Sequence, residues 1–436
     1  MTLKEHFSKN ISLAYPVVIG QLGHIMVSVA DTMMVGRVGV IPLAAATFAG
    51  VIIHVLMMFG IGVSYAVTPL VAATDSKDHN RLMQLLQNGT ILNFVLSIAL
   101  MGIALIASSF LFHFGQEQAV AVASKPYLII VATSLVPLML FQTFRQYAEG
   151  RSDTFNPMVV SIVANLVNVG LNYVLIYGAF GFPQLGLNGA AWATLISRVV
   201  MAIMMIWIIR KGLKGFQLAV EWSVITRMIK IGVPSGMQYI FEVGAFATAA
   251  LMTGWISAEA LAAHQIAINL AAISFMCATG IAAASTVRIG NQMGLKDLPN
   301  LKMAGYTSFA TAAIFMSFAA LIFILFRDFL TGLYIEDEYV QSIASGLLII
   351  AAAFQISDGI QAAGLGVLRG LTDVKVPTLI TFVAYWVLAI PGGYIMGFVL
   401  GYGIDGIWYA LSGGLTVAAI LHITRFKKLT DKIRFN

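Results

Sequence analysis

The stretch IFEVGAFATAALM, residues 240–252, is an apolar run that contains a single glutamate, Glu242. It lies within a longer apolar segment, residues 231–254, which is long enough to cross the hydrocarbon core of a bilayer as a helix. Of the 436 residues, 59% are hydrophobic and 10% are charged, and the mean hydropathy is +0.89. Soluble domains carry roughly a quarter charged residues. The composition therefore predicts an all-α membrane protein that crosses the bilayer many times.

Twelve apolar segments of roughly 20 residues are predicted to span the membrane. They lie near residues 13–36, 48–72, 90–112, 125–147, 157–179, 188–209, 231–254, 262–285, 305–326, 341–365, 378–400 and 405–423. The 25 Lys and Arg residues test this count, because cytoplasmic loops carry an excess of basic residues. With the N-terminus in the cytoplasm, all of these basic residues except four lie on the cytoplasmic side. The exceptions are Arg37, Lys125 and Arg327, which lie outside, and Arg198, which lies within a span. A missed helix would scramble this alternation, so both termini are predicted to be cytoplasmic.

Several classes of protein are disfavoured by the same observations. The basic loops are explained as topology signals, so the net charge of +6 does not indicate nucleic-acid binding. A single cysteine, Cys277, excludes a disulfide framework and argues against a cysteine metal site. No small-residue cleavage site follows the first apolar run, so we expect an uncleaved first helix and not a signal peptide. We expect no cofactor beyond a coupling ion.

An internal repeat divides the chain into two halves. The segment that begins at Pro16 resembles the segment that begins at Pro234, at an offset of 218 residues. The stretch EGRSDTFNP at 149–157 recurs as RGLTDVKVP at 369–377, at an offset of 220 residues. An even number of spans separates the copies, so both halves have the same orientation and are predicted to enclose a central cavity. The predicted domains are an N-terminal six-helix bundle, a cytoplasmic linker and a C-terminal six-helix bundle at residues 1–209, 210–230 and 231–436.

Three of the nineteen acidic residues lie well inside predicted spans: Asp31, Glu242 and Asp358. An ionised carboxylate is costly in the bilayer, so such residues mostly face a bundle interior or water and mark ion or substrate paths. Burial favours their protonated form, so they are able to carry protons. A second interpretation stays open, in which each carboxylate is a structural partner of Arg198 or of a broken helix backbone.

Other polar residues in the spans are secondary candidates. Asn168 and Asn172 are one helical turn apart on the fifth span, where their amides predict either contacts between helices or oxygen ligands for sodium. Gln265 and Asn269 repeat this spacing on the eighth span. Phe354 lies one turn before Asp358, where an aromatic ring is suited to stacking on a flat cationic substrate.

Nearly the whole chain resembles the multidrug and toxic compound extrusion (MATE) family, in its bacterial NorM-like branch. The resemblance rests on VADTMMVG around Asp31, FEVGAF and AAHQIAINL in the second half, TVRIGNQMG at 286–294, SDGIQAAGLGVLRG at 357–370 and the paired loops that end at Pro157 and Pro377. It implies two six-helix bundles and export of cationic, often aromatic, drugs in exchange for Na⁺ or H⁺.

The resemblance also implies roles for individual residues. Asp31, with Asn168, Asn172 and Thr194, matches the polar site of the N-terminal bundle, and Glu242 with Asp358 matches the acidic pair of the C-terminal bundle. Either set is a candidate Na⁺ site. Some relatives have a tyrosine where this chain has Phe354, which lacks an oxygen ligand. The resemblance suggests a monomer in the bacterial cytoplasmic membrane.

Two other functions agree less well with the sequence than antiport of drugs and cations does. A flippase for lipid-linked oligosaccharides shares the architecture, but its anionic pyrophosphate substrate requires cavity cations, and Arg198 is the single in-span cation. A membrane-embedded enzyme requires paired aspartates or a histidine with a nearby acid. Asp31 and Asp358 lie in different halves and carry no GxGD-like motif, so enzyme activity is not expected.

Overall fold

A computed structural model of the protein describes residues 1–213, 215–217 and 219–435. Within those residues twelve helices are long and apolar enough to cross a membrane, and no strand forms, which confirms the predicted fold class. The helices are α1 Leu3–Gly36, α2 Val40–Ala72, α3 His79–Ser109, α4 Gln118–Gly150, α5 Phe155–Tyr177, α6 Leu187–Ile209, α7 Trp222–Ile256, α8 Ala258–Gly294, α9 Leu298–Gly332, α10 Glu338–Gly370, α11 Lys375–Val399 and α12 Gly403–Lys432. The predicted linker, 210–230, includes Lys214 and Leu218, which with Asn436 lie outside the described residues.

Most helices are longer than the apolar segments that predict them. Helix α1 begins at Leu3 instead of near residue 13, and α8 continues to Gly294 instead of ending near 285. The polar residues at these ends are also helical, because a helix satisfies its backbone hydrogen bonds internally whether its side chains are polar or apolar. Side chains cap the N-termini of α9 and α10. The carboxylates of Asp297 and Asp337 accept hydrogen bonds from the backbone amides three residues ahead in these helices.

Three of the helices are interrupted. Helix α2 consists of Val40–Ser64 and Val67–Ala72, and α4 is divided at Ser134. Helix α11 contains two π-helical segments, Val383–Ala389 and Ile395–Val399. Such wider turns rotate the following side chains and are frequent at functional sites, so α11 is a candidate to carry site residues.

The chain forms two compact units. The N-terminal unit is Ile19–Gly236, and the C-terminal unit combines Met1–Val18 with Met237–Asn436. Each change of unit therefore falls two residues after a proline inside a helix, Pro16 in α1 and Pro234 in α7. The domain boundaries proposed from sequence, at residues 209 and 231, stay a prediction.

The internal repeat extends to backbone geometry. Ser152 and Thr372, which are related by the offset of 220, both adopt left-handed conformations, with φ of 66° and 58°. The glycines two residues earlier are also equivalent: a Cβ at Gly150 would lie 2.8 Å from Val71, and one at Gly370 would lie 2.6 Å from Ile289. These close approaches leave no room for a side chain, so both loops retain glycine where two helices meet.

The centre of each unit is one long helix. Helices α4 and α10 each have 61% of their most apolar window buried, more than any other described span. In the C-terminal unit α10 packs against α8, α9 and α12. Because α10 is surrounded in this way, its polar side chains are held away from lipid, and the acidic residue Asp358 lies on it.

Candidate ion and substrate site

In the N-terminal unit, Asp31 is joined to both candidate asparagines. The amide nitrogen of Asn172 donates a hydrogen bond to Oδ1 of Asp31, and it also donates to Oδ1 of Asn168 at 3.1 Å. Asn168 and Asn172 are buried, whereas Asp31 is partly accessible. The cluster thus links α1 to α5 through one NH₂ group, which lies between two oxygen atoms. A cation that bridges the same two oxygens would have to displace this NH₂ group.

A second layer of contacts extends the cluster to α6. The amide of Asn168 donates to the hydroxyl of Ser197 at 3.4 Å, and that hydroxyl donates to the backbone carbonyl of Thr194 at 3.0 Å. Thr194 thus contributes a main-chain oxygen to this network. Its predicted role through the side-chain hydroxyl stays a prediction, and Ser197 is a contact that the sequence alone did not reveal.

Arg198 lies near the same cluster. Its guanidinium donates to the hydroxyl of Ser134 at 2.7 Å, at the point where α4 is interrupted, and approaches the sulfur of Met57 at 3.5 Å. Arg198, Asp31 and Tyr127 are close enough to interact electrostatically. The electrostatic field of the Arg198 guanidinium therefore stabilises a negative charge on Asp31. The hydrogen bond to Ser134 holds the guanidinium in place.

In the C-terminal unit, the two predicted acids lie in one buried site. Glu242 on α7 and Asp358 on α10 are 8% and 6% exposed, and their like charges repel one another across the site. Oδ1 of Asp358 has no hydrogen-bond partner among the described residues. Two mutually repelling carboxylates, one with an unpaired oxygen, are a natural acceptor for a proton or for a positively charged ligand.

Tyr385 is a third member of this site that the sequence did not identify. It lies in the first π-helical segment of α11, is fully buried, and interacts electrostatically with both Glu242 and Asp358. Within the described part of the chain its hydroxyl lacks a hydrogen-bond partner. A tyrosine in an apolar span attracts no notice in the sequence, although its hydroxyl supplies an oxygen that Phe354 cannot.

Phe354 forms part of an aromatic group beside the acids. Its ring lies 5.6 Å from that of Trp408, and the indole nitrogen of Trp408 donates to Nδ1 of His264 at 3.1 Å. All three side chains are buried. His264 is thus used in packing and in a hydrogen bond with Trp408, which agrees with a structural role.

Gln265 and Asn269 do not join this site. Both are exposed on α8, although they follow the buried His264 in sequence. Helical spacing identified correctly that they share a face, but spacing does not determine which face is buried. Their assignment as site residues stays a prediction without a described contact to Glu242 or Asp358.

Comparison with known proteins places these clusters in a family. The family model described as MatE matches residues 16–174 and 234–395. The chain is 34% identical to the multidrug resistance protein MdtK of Yersinia pseudotuberculosis serotype O:1b, over 96% of this chain and 94% of the relative. It is equally similar to the MdtK of Yersinia enterocolitica serotype O:8, with the same coverage.

Solved structures agree with the fold. The eukaryotic MATE transporter AtDTX14 superposes with a TM-score of 0.87 at 18% identity, over 99% of this chain and 98% of that one. An outward-facing multidrug resistance MATE family transporter of the MOP superfamily superposes with a TM-score of 0.89 at 17% identity, over 99% and 97% of the two chains. From the family model and from the relatives that match along the whole chain, we conclude that this protein belongs to the MATE family.

Proposed function

We propose that the protein is a multidrug efflux antiporter, which exports cationic and aromatic organic compounds by alternating access in exchange for Na⁺ or H⁺. The observation that carries this proposal is the pair of separate acidic clusters, one in each unit: the partly accessible Asp31 with its buried asparagines, and the buried Glu242 with Asp358. The relatives at 34% identity are named multidrug resistance proteins, which supports the same activity.

The proposed cycle couples the ion and the drug through competition for carboxylate charge. Uptake of H⁺ or Na⁺ neutralises an acidic cluster and lowers its affinity for an organic cation. Release of the ion on the other side restores the negative charge, which attracts the next substrate. A ligand shifts a two-state equilibrium only by its different affinities for the two states, so this competition supplies the required difference.

The N-terminal cluster is better suited to a proton than to sodium. The NH₂ group of Asn172 lies between Oδ1 of Asp31 and Oδ1 of Asn168, so the two oxygens are already bridged by a donor. Sodium would require this amide to turn over and present its own oxygen. A proton on Asp31 requires no such rearrangement.

The setting is proposed to be the bacterial cytoplasmic membrane, with both termini in the cytoplasm. The basic loops support this orientation under the positive-inside rule. We also propose a monomer that needs no cofactor beyond its coupling ion, as the likeness to the MATE family implies.

A lipid-linked oligosaccharide flippase fits the site less well. An anionic pyrophosphate requires uncompensated cations, whereas the in-span Arg198 is held by Ser134 and lies in the field of Asp31. Enzyme activity has equally little support, because the relatives at 34% identity are named multidrug resistance proteins.

Transport by the purified protein in proteoliposomes tests the proposal. Ethidium transport is measured with a proton gradient and a sodium gradient imposed separately, for wild type, Asp31→Asn and Glu242→Gln. Antiport requires that at least one gradient drives transport and that at least one substitution abolishes this dependence. Ethidium movement that neither gradient accelerates would reject the antiporter proposal.

A further inference from the structure

Buried polar groups without partners continue beyond the acidic pair, along one side of α10. Gln361 lies one helical turn after Asp358 and is fully buried, and neither its amide oxygen nor its amide nitrogen has a partner among the described residues. The axial separation of the two residues is roughly 5 Å at the helical rise of 1.5 Å per residue. One water molecule is able to bridge such a distance.

His422 on α12 extends this row. It is fully buried, and both of its ring nitrogens lack a hydrogen bond of acceptable geometry within the described residues. The backbone carbonyls of Gln361 on α10 and Pro377 on α11 face the ring. A Cβ at Gly364 would lie 2.6 Å from Cβ of His422, so α10 and α12 approach closely here and fix the position of the imidazole.

The row ends at an accessible ion pair. Arg425 lies one turn after His422 on α12, and its guanidinium donates to both carboxylate oxygens of Asp373, at 2.8 and 3.2 Å. The side chain of Asp373 is 19% exposed and lies in the loop between α10 and α11. The electrostatic field of Asp373 also reaches His422, so the partly exposed Asp373 and the buried histidine are neighbours.

Water is the simplest explanation for these unpaired groups. Counting Oδ1 of Asp358, both amide atoms of Gln361 and both nitrogens of His422, five buried polar atoms lack partners in the part of the chain that is described. Nearly all buried polar groups in proteins are hydrogen-bonded, and a buried water makes about three such bonds. Water between Asp358 and His422 would satisfy these atoms.

We infer that Asp358, Gln361 and His422 line a hydrated path that carries protons between the acidic pair and the α10–α11 loop beside Asp373. The inference rests on the proposed function, because it assigns a route to the ion that this function exchanges. When substrate binds, the O–H bond of protonated Asp358 breaks and its proton passes to a water of the path. A proton leaves at Asp373 to bulk water, and the carboxylate of Asp358 keeps the electron pair.

The path makes a kinetic prediction that differs from the prediction for the acidic pair. The acids determine how many protons are released when a drug binds, whereas the path determines how fast they reach solvent. Gln361→Met keeps the length of the side chain but removes its amide, so we expect the same number of protons and a rate about tenfold lower. Gln142→Met is the matched control, since Gln142 is a buried glutamine with an unpaired oxygen in α4 of the other unit.

The experiment mixes the purified full-length protein in detergent with ethidium and a pH-indicator dye, and follows proton release by stopped flow. Equilibrium affinity for ethidium checks that each variant is folded. His422→Leu should slow release as Gln361→Met does, whereas His422→Gln retains hydrogen-bonding atoms and should stay within about threefold of wild type.

The outcomes separate the path from the proposed function. Slow release with unchanged amplitude in Gln361→Met and His422→Leu, and normal release in Gln142→Met, supports the path. Wild-type rates in both path variants overturn the path and leave proton coupling intact. A wild-type protein that releases no proton upon binding ethidium rejects proton coupling itself, and with it the path.

Discussion

The amide nitrogen of Asn172 donates hydrogen bonds to both Asp31 and Asn168, so one side chain on α5 holds together the acidic cluster of the N-terminal unit. Replacing this NH₂ group therefore affects two acceptors at once. The amide oxygen of Asn172 has no partner within the described residues, which leaves one further position where a proton or ligand is able to bind.

Asn172→Leu should abolish drug transport that depends on Asp31 while the protein remains folded in the membrane. The substitution removes the donor that orients Asp31, and a buried acceptor left unpaired costs about 1–3 kcal/mol. Ethidium efflux in proteoliposomes measures the effect. Thr32→Val is the control, since the Thr32 hydroxyl donates to the Ser28 carbonyl of its own helix. Equal transport by both variants would contradict the role of Asn172.

Tyr385→Phe should weaken the apparent affinity for the coupling ion and leave stability nearly unchanged. The hydroxyl lies near Glu242 and Asp358 but has no partner among the described residues, so its removal costs little folding energy. The measurement is the ion concentration that gives half-maximal ethidium transport. Tyr409→Phe, at an exposed position on α12, should change neither quantity. An unchanged ion dependence in Tyr385→Phe would remove this hydroxyl from the site.

Arg288→Leu should lower the free energy of unfolding by roughly 3 kcal/mol. The buried guanidinium donates to the carbonyl of His6 at 2.8 Å and to Oδ1 of Asn10 at 2.6 Å, and the substitution removes both bonds and takes this donor from the buried Asn10 oxygen. Thermal unfolding in detergent measures the loss. The comparison is Lys302→Leu, which breaks the accessible ion pair with Asp431 and should cost less than about 1 kcal/mol. Similar losses in the two variants would contradict the special role of the buried arginine.

Thr372→Gly should stabilise the protein by up to about 1 kcal/mol. A β-branched residue in the left-handed region is strained, and glycine removes that strain at some cost in chain entropy. The opposite sign is expected for Thr424→Gly, because Thr424 lies within the regular helix α12. Melting temperatures of the two variants test the pair, and a loss of stability in Thr372→Gly would show that its hydroxyl or methyl group contributes more than the strain costs.

The fold was more predictable than the site. Periodic basic loops and the repeat at 149–157 and 369–377 determined the number and arrangement of helices, since both depend on many residues. Hydropathy did not reveal the full length of α1 or the division of α4 at Ser134, because it measures only the apolar centre of a span. The isolated acids were identified because charge in a membrane is rare.

The remaining site residues were missed for a physical reason. Tyr385 lies in an apolar span without any local signal, and only tertiary packing brings it beside the acids. A signal for Gln361 was present in its spacing of one turn from Asp358. Gln265 and Asn269 are the opposite case: their regular spacing predicts a site, their side chains are exposed on α8, and their role stays a prediction.

The change of unit inside α1 and α7 has a consequence for biosynthesis. Met1–Val18 is synthesised before Ile19–Gly236, but it belongs to the unit that is completed last. The N-terminal unit in turn lacks its final segment until Gly236 has been synthesised. Each bundle therefore needs a segment encoded in the other half of the gene to complete its assembly. Two separately expressed halves would adopt the native packing only after they associate.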